Sequence, residues 1–165
     1  MPGSYSFDVV SDFDRQELVN AIDQLKREVD QRYDLKDSNT QVDLQENELV
    51  ISTSSDMTLQ AVEIVLRQKA IKRNLSLKIF DFELPEVCSG NRVRQTVKLK
   101  RGISQDIAKK LGKSIRDELK KVTASIQGDS LRITSKSKDD LQAAILILKR
   151  EEESLDIPLQ YENYR

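Results

Sequence analysis

Apolar positions along the chain follow two alternating rhythms. Residues 5–10, YSFDVV, mix aromatic and β-branched residues and predict a short strand. Leu18, Ile22, Leu25 and Val29 then fall three or four apart, which predicts a helix reaching about Tyr33, capped by Asp12 or Asp14. Val42 and Leu44 alternate with polar residues, and so do Leu49 and Ile51 beyond the Glu46-Asn47 turn, so this stretch reads as a hairpin. Asp56 opens a second helix carrying Leu59, Val62, Ile64, Val65 and Leu66. Residues 76–83 read as a last strand, and Pro85 as its end.

The same order then recurs. Val93, Val97 and Leu99 alternate with Arg94, Lys98 and Lys100 in a strand that Gly102 breaks. Ser104 can cap a helix with Ile107, Leu111, Ile115 and Leu119 on one face. Ala124 and Ile126, then Leu131 and Ile133, make a hairpin about Gly128-Asp129. Asp139 or Ser137 caps a helix with Leu141, Ala144, Ile145 and Leu148, and Leu159 and Tyr161 mark a terminal strand. The duplication also shows in the residues. LVISTSSDMTLQAVEIVL (49–66) and LRITSKSKDDLQAAILIL (131–148) align without a gap. A repeat of this length points to two copies of one small domain.

Each copy reads β-α-β-β-α-β, so the expected class is α+β: two tandem ferredoxin-like domains, each a four-stranded antiparallel sheet with two helices on one face. The boundary falls in PEVCSGNR, giving domains 1–88 and 89–165 with a linker over about 84–92. The pattern leaves open whether the first strands stay in their own domains or exchange.

Charge sharpens the division. The net charge of −1 conceals a split: residues 1–88 hold ten Lys/Arg and seventeen Asp/Glu, net −7, while residues 89–165 hold seventeen and eleven, net +6. In the second copy, inward Val93, Val97 and Leu99 leave Arg94, Thr96, Lys98 and Lys100 on the open sheet face. Inward Leu131 and Ile133 leave Arg132 and Thr134 there, with Lys136 just beyond. If the first and third strands are central neighbours, Arg94, Lys98, Lys100 and Arg132 cluster on one basic face. Like charges on adjacent strands call for a counter-charge. In the first copy, inward Leu49 and Ile51 would turn Val50 outward, and inward Leu77 and Ile79 would turn Phe80 and Phe82 outward, an apolar open face suited to an interface.

The chemistry the chain lacks narrows the function. Histidine is absent, which excludes His-based general-base catalysis and His metal sites. Neither GxxxxGK[ST] nor GxGxxG occurs. No catalytic set, metal site or cofactor is expected. Asp139-Asp140 reads as a helix cap. KLKRGIS (98–104) passes from a basic strand to a capped helix start, whose free N–H groups can hold phosphate. A lone Cys88 fits a reducing cytoplasm, MPGSYSFDVV is not a signal peptide, and no apolar run approaches the length of a membrane span.

SFDVVSDFD (6–14), RYDLKDS (32–38), KLKRGI (98–103), IQGDSLRITSKSKDDLQAAI (126–145) and LQYENYR (159–165) resemble the YajQ family of bacterial proteins across essentially the whole chain. Ser135 stands where that family usually has Gly, and Lys138 where it has Arg. The resemblance implies two ferredoxin-like domains and a non-enzymatic, cytoplasmic nucleotide-binding protein. It further implies cyclic di-GMP as a ligand and a transcription-regulator protein, RNA or DNA as partners. The expected nucleotide-binding residues are Arg94, Lys98, Lys100, Arg101, Arg132, Lys136 and Lys138. An RNA- or DNA-binding module and a protein-interaction scaffold are the alternatives. The sequence leaves the oligomeric state open.

Overall fold

A computed structural model describes residues 3–165. The elements are β1 (Tyr5–Val10), α1 (Arg15–Gln31), β2 (Gln41–Leu44), β3 (Glu48–Thr53), α2 (Asp56–Lys72), β4 (Phe80–Phe82), β5 (Glu86–Cys88), β6 (Arg92–Leu99), α3 (Gln105–Glu118), β7 (Thr123–Gln127), β8 (Ser130–Ser135), α4 (Lys138–Glu152) and β9 (Gln160–Glu162). Every helix starts on a side-chain cap that accepts otherwise orphaned backbone N–H groups. Asp14 caps α1, Ser55 caps α2 in a capping box with Thr58, Ser104 caps α3 and Ser137 caps α4.

The fold is α+β, with two antiparallel ferredoxin-like sheets in the orders β7-β8-β1-β9 and β2-β3-β6-β4. The first strands are exchanged relative to chain order. β1 lies between β8 and β9, with Phe7 opposite Ile133 and Val9 opposite Leu131 and Tyr161. β6 takes the equivalent place between β3 and β4, with Val97 opposite both Leu49 and Phe82. One compact unit is therefore residues 13–100, and the other joins residues 1–12 to 101–165. This differs from a division into 1–88 and 89–165. The chain crosses between units at 12–13 and 100–101.

The expected linker is instead part of the first of these units. β5 pairs with the start of β6, Val87 facing Val93. The turn between them uses Gly90 (φ 73°) and Asn91 (φ 60°), left-handed positions that Gly and Asn tolerate. This hairpin delivers β6 directly to the edge of β4, so little loop-closure entropy is lost in forming the contact. Pro85 does not end the unit; strand pairing resumes one residue later.

The charge split vanishes when the chain is counted by folded unit. Residues 13–100 hold 14 Lys/Arg and 15 Asp/Glu, net −1. Residues 1–12 with 101–165 hold 13 of each, net zero. The exchange moves Asp8 and Asp12 one way and Arg92, Arg94, Lys98 and Lys100 the other.

The predicted apolar open face is also absent. Residues 77–79 form a single 3-10 turn, and the strand begins only at Phe80. Strict alternation through 76–83 therefore fails. Phe80 is buried in the core with Val97 and Leu99, and Phe82 packs against that core under the Arg67 guanidinium of α2, 4.4 Å from its ring centre. The other core gathers Phe7, Val9, Ile103, Leu111, Ile115, Leu131, Ile133 and Leu148.

Candidate functional site

The expected basic cluster is divided between the two sheets. Arg94 and Lys98 lie on β6, opposite Ser52 and Glu48 of β3. Arg132 lies on β8, opposite Asp8 of β1. The basic open face assigned to one domain does not form, because β6 and β8 never pair.

Four of the expected cations sit beside carboxylates. Arg94 meets Glu86 at 3.5 Å, Lys98 meets Glu48 at 3.6 Å, and Arg101 meets Asp12 at 2.8 Å. Arg132 Nε donates to Asp8 Oδ1 at 2.9 Å. Lys100 follows β6, its backbone N–H donating to Ile79 O. In KLKRGIS two backbone N–H groups ahead of α3 are already engaged. Gly102 N–H donates to Ser11 O and Ile103 N–H to Asp129 O, and a side chain on Gly102 (φ 81°) would press within 2.9 Å of the Asp129 carboxylate.

Asp8 is the main buried acid of its sheet, only 7% exposed. Arg132 donates to one oxygen and Asn163 Nδ2 to the other, at 2.9 Å. The Arg132 hydrogen bond, then that of Asn163, hold its carboxyl below the ordinary aspartate value, against the opposing effect of burial. A depressed folded pKa stabilises the fold above the unfolded value of about 3.9, and that contribution is lost as pH falls through the folded value. Asp8→Asn should therefore lower the urea midpoint at neutral pH while reducing its decline in acid. Urea titrations over about pH 2–6 read both effects.

Lys136 and Lys138 lie where two clefts open. β8 ends at Ser135, Lys136 follows, and Ser137 caps α4, its N–H donating to Ser135 Oγ and its own Oγ accepting from Asp140 N–H. Here a cleft of about 550 Å³ is lined, among the described residues, only by polar side chains, including Lys121, Thr123, Thr134, Lys136 and Asp140. Thr123 pairs with Thr134 at the end of the β7–β8 hairpin, and just beyond it Lys121 and Lys136 both line this cleft. Neither lysine has an ion-pair partner among the described residues.

The second cleft, about 300 Å³, lies along the first turns of α4. Lys138, Leu141, Gln142 and Ile145 present one helical face to it, as their three- and four-residue spacing requires. Tyr5, Ser6, Tyr164 and Arg165 complete it. Lys138 Nζ stands 5.0 Å from the centre of the Tyr5 ring. The chain end is tied in place, because Ser6 and Arg165 exchange backbone hydrogen bonds at 3.1 and 2.9 Å. The two clefts flank the same backbone, meeting at Ser4-Tyr5 and Ser137-Lys138.

Tyr5, Lys121, Tyr164 and Arg165 were outside the sequence-based set. Lys121 was within reach of the hairpin register about Gly128-Asp129. The others needed the position of β1 and the chain end. Among the described residues no His/Cys/Asp/Glu cluster is arranged to hold a metal ion, and no helix is long and apolar enough to cross a membrane.

Residues 5–165 match the family described as nucleotide-binding protein YajQ-like. A nucleotide-binding protein of Synechococcus sp. (strain CC9605) is 72% identical over 165 residues, covering all of both chains. One from Prochlorococcus marinus (strain MIT 9211) matches at 72%, and one from Prochlorococcus marinus (strain MIT 9301) at 61%, each with the same full coverage. A family match over nearly the whole chain, with relatives this similar along its full length, places the chain in the YajQ-like family of nucleotide-binding proteins.

Proposed function

We propose that this chain binds a nucleotide, without turning it over, at the paired clefts of residues 1–12 and 101–165. The observation that carries this is that Lys121 and Lys136 line one cleft whose described side chains are all polar, and neither has an ion-pair partner among the described residues. Two like charges lining one cleft repel, and an anion between them removes that cost. Phosphate oxygens accept charge-assisted hydrogen bonds from both ammonium groups. Asp140 on the same cleft repels an anion seated over the α4 N-terminus, which favours the Lys121–Lys136 side. The neighbouring cleft offers Tyr5 and Tyr164 for a base, with Lys138 and Arg165 beside them. Base stacking on an aromatic ring contributes about 1–3 kcal/mol.

Cyclic di-GMP, with two phosphates and two guanines, uses both kinds of surface at once and is the first ligand to test. An effector role, with binding passed on to a regulator protein or nucleic acid, belongs to this reading. Calorimetry with cyclic di-GMP, GTP and ATP at low salt should show saturable binding to at least one. Lys121→Glu/Lys136→Glu should weaken it at least tenfold, about 1.4 kcal/mol, without lowering the melting temperature. Arg94→Glu/Lys98→Glu, in the other unit, should leave the affinity unchanged. No heat with any of the three would overturn the assignment. Binding of single-stranded RNA alone, falling steeply with salt, would reassign the ligand to a polynucleotide.

A further inference from the structure

The unit of residues 13–100 carries a groove with the opposite electrostatic character. β4 pairs Phe82 with Val97, and β5 resumes with Glu86 opposite Arg94. Three residues, 83–85, thus face two on β6, a β-bulge. A groove of about 540 Å³ opens here between the bulged edge and α2. Its apolar lining includes Leu59, Phe82 and Val93, and its rim carries two strongly exposed apolar side chains, Leu84 at 90% and Val87 at 79%.

Every charged residue in the lining is a carboxylate: Asp56, Glu63, Glu83 and Glu86. The cations that approach them do so in long pairs, Arg67, which also lies over the Phe82 ring, with the mostly buried Glu63 at 3.7 Å, and Arg94 with Glu86 at 3.5 Å, both exposed. The exposed Arg94–Glu86 pair holds little energy and exchanges readily for another cation.

An independent observation marks the groove as incomplete. Gln95 lies among the inward residues of β6, where the alternation calls for an apolar side chain. It is only 4% exposed. Its Nε2 donates to Glu83 O across the bulge at 2.8 Å, and its Oε1 has no hydrogen-bond partner. Buried polar atoms are nearly always paired, so an unpaired acceptor in a groove lining invites a donor.

We propose that this groove docks a short extended segment of a partner protein, an apolar side chain flanked by Lys or Arg. The apolar lining takes the apolar residue, the carboxylates take the cations, and a small rotation of the buried Gln95 side chain brings Oε1 to a backbone N–H of the segment. Pro85 at the edge prevents a long added strand, so recognition rests on side chains. An anionic ligand is repelled, which makes this site independent of the nucleotide clefts.

The test uses the full, 15N-labelled chain and a capped hexapeptide alternating arginine and valine, at low salt. Saturable binding is expected, with shifts at the Gln95 side-chain amide and the Leu84 and Val87 backbone amides. Glu83→Lys/Glu86→Lys should weaken it at least tenfold, and Leu84→Ser/Val87→Ser should weaken it severalfold. All four side chains lie at the surface, so both variants should keep the wild-type melting temperature. No binding, equal binding of an alternating glutamate–valine peptide, or equal binding of spermine would overturn the proposal. So would a dimer that the same substitutions dissociate, which would assign the groove to a second copy of this chain.

Discussion

Residues 13–100, produced alone, should unfold in one cooperative transition, whereas residues 1–88 should show none. Both fragments are 88 residues long, so size does not separate them. The fragment 13–100 contains α1, α2, β2 to β6 and a complete buried cluster from Leu18 to Leu99. The fragment 1–88 lacks β6, the central strand to which β3, β4 and β5 all pair. It loses the burial of Val93, Val97 and Leu99 at about 1.5–3 kcal/mol each. Together these approach the whole stability of a typical domain, about 5–15 kcal/mol. It also keeps β1, whose apolar residues Phe7 and Val9 then have no sheet to enter. Thermal melts followed by circular dichroism, with amide dispersion in NMR spectra, distinguish the two. A cooperative melt for 1–88 and none for 13–100 would show that the strands are not exchanged in solution.

The second large effect is expected at Phe7. Its side chain is fully buried on the central strand β1. Its ring meets Tyr161 edge-on at 5.9 Å and Tyr164 at 5.8 Å. Phe7→Ala should cost about 3–5 kcal/mol, since truncating a buried aromatic removes transfer energy and leaves a cavity. For a unit of this size each kcal/mol shifts the melting temperature by roughly 4–8 °C, so a fall of well over 10 °C is expected. The near-ultraviolet dichroism of Tyr161 and Tyr164 should weaken with it, because Phe7 orders both rings. The loss belongs to the unit of residues 1–12 and 101–165. A mutant whose lower transition instead maps to residues 13–100 would contradict the pairing of β1 with β8.

Much of the local structure was legible because it depends on local chemistry. Helix starts at Ser104, at Asp12 or Asp14 and at Ser137 or Asp139 follow from one side chain meeting orphaned N–H groups a turn away, and the structure selects Asp14 and Ser137. The hairpin about Gly128-Asp129 follows from turn residues between two alternating runs. The repeat of 49–66 in 131–148 was enough for the ferredoxin-like class. Phe80 and Phe82 were misplaced because a 3-10 turn resets the alternation, and its onset depends on how residues 77–79 pack.

What the sequence by itself determined was the parts: two copies of a β-α-β-β-α-β set, their caps, their turns and the identity of most core residues. The tertiary structure decided which sheet received β1 and which received β6. Both strands alternate apolar and polar residues in the same way, so periodicity cannot tell one sheet from the other. The choice depends on chain closure through the β5–β6 hairpin and on cross-strand partners such as Asp8 with Arg132. That choice dissolved the apparent charge division, split the predicted basic face between two sheets, and brought Lys121 and Lys136 into view as lysines sharing one cleft.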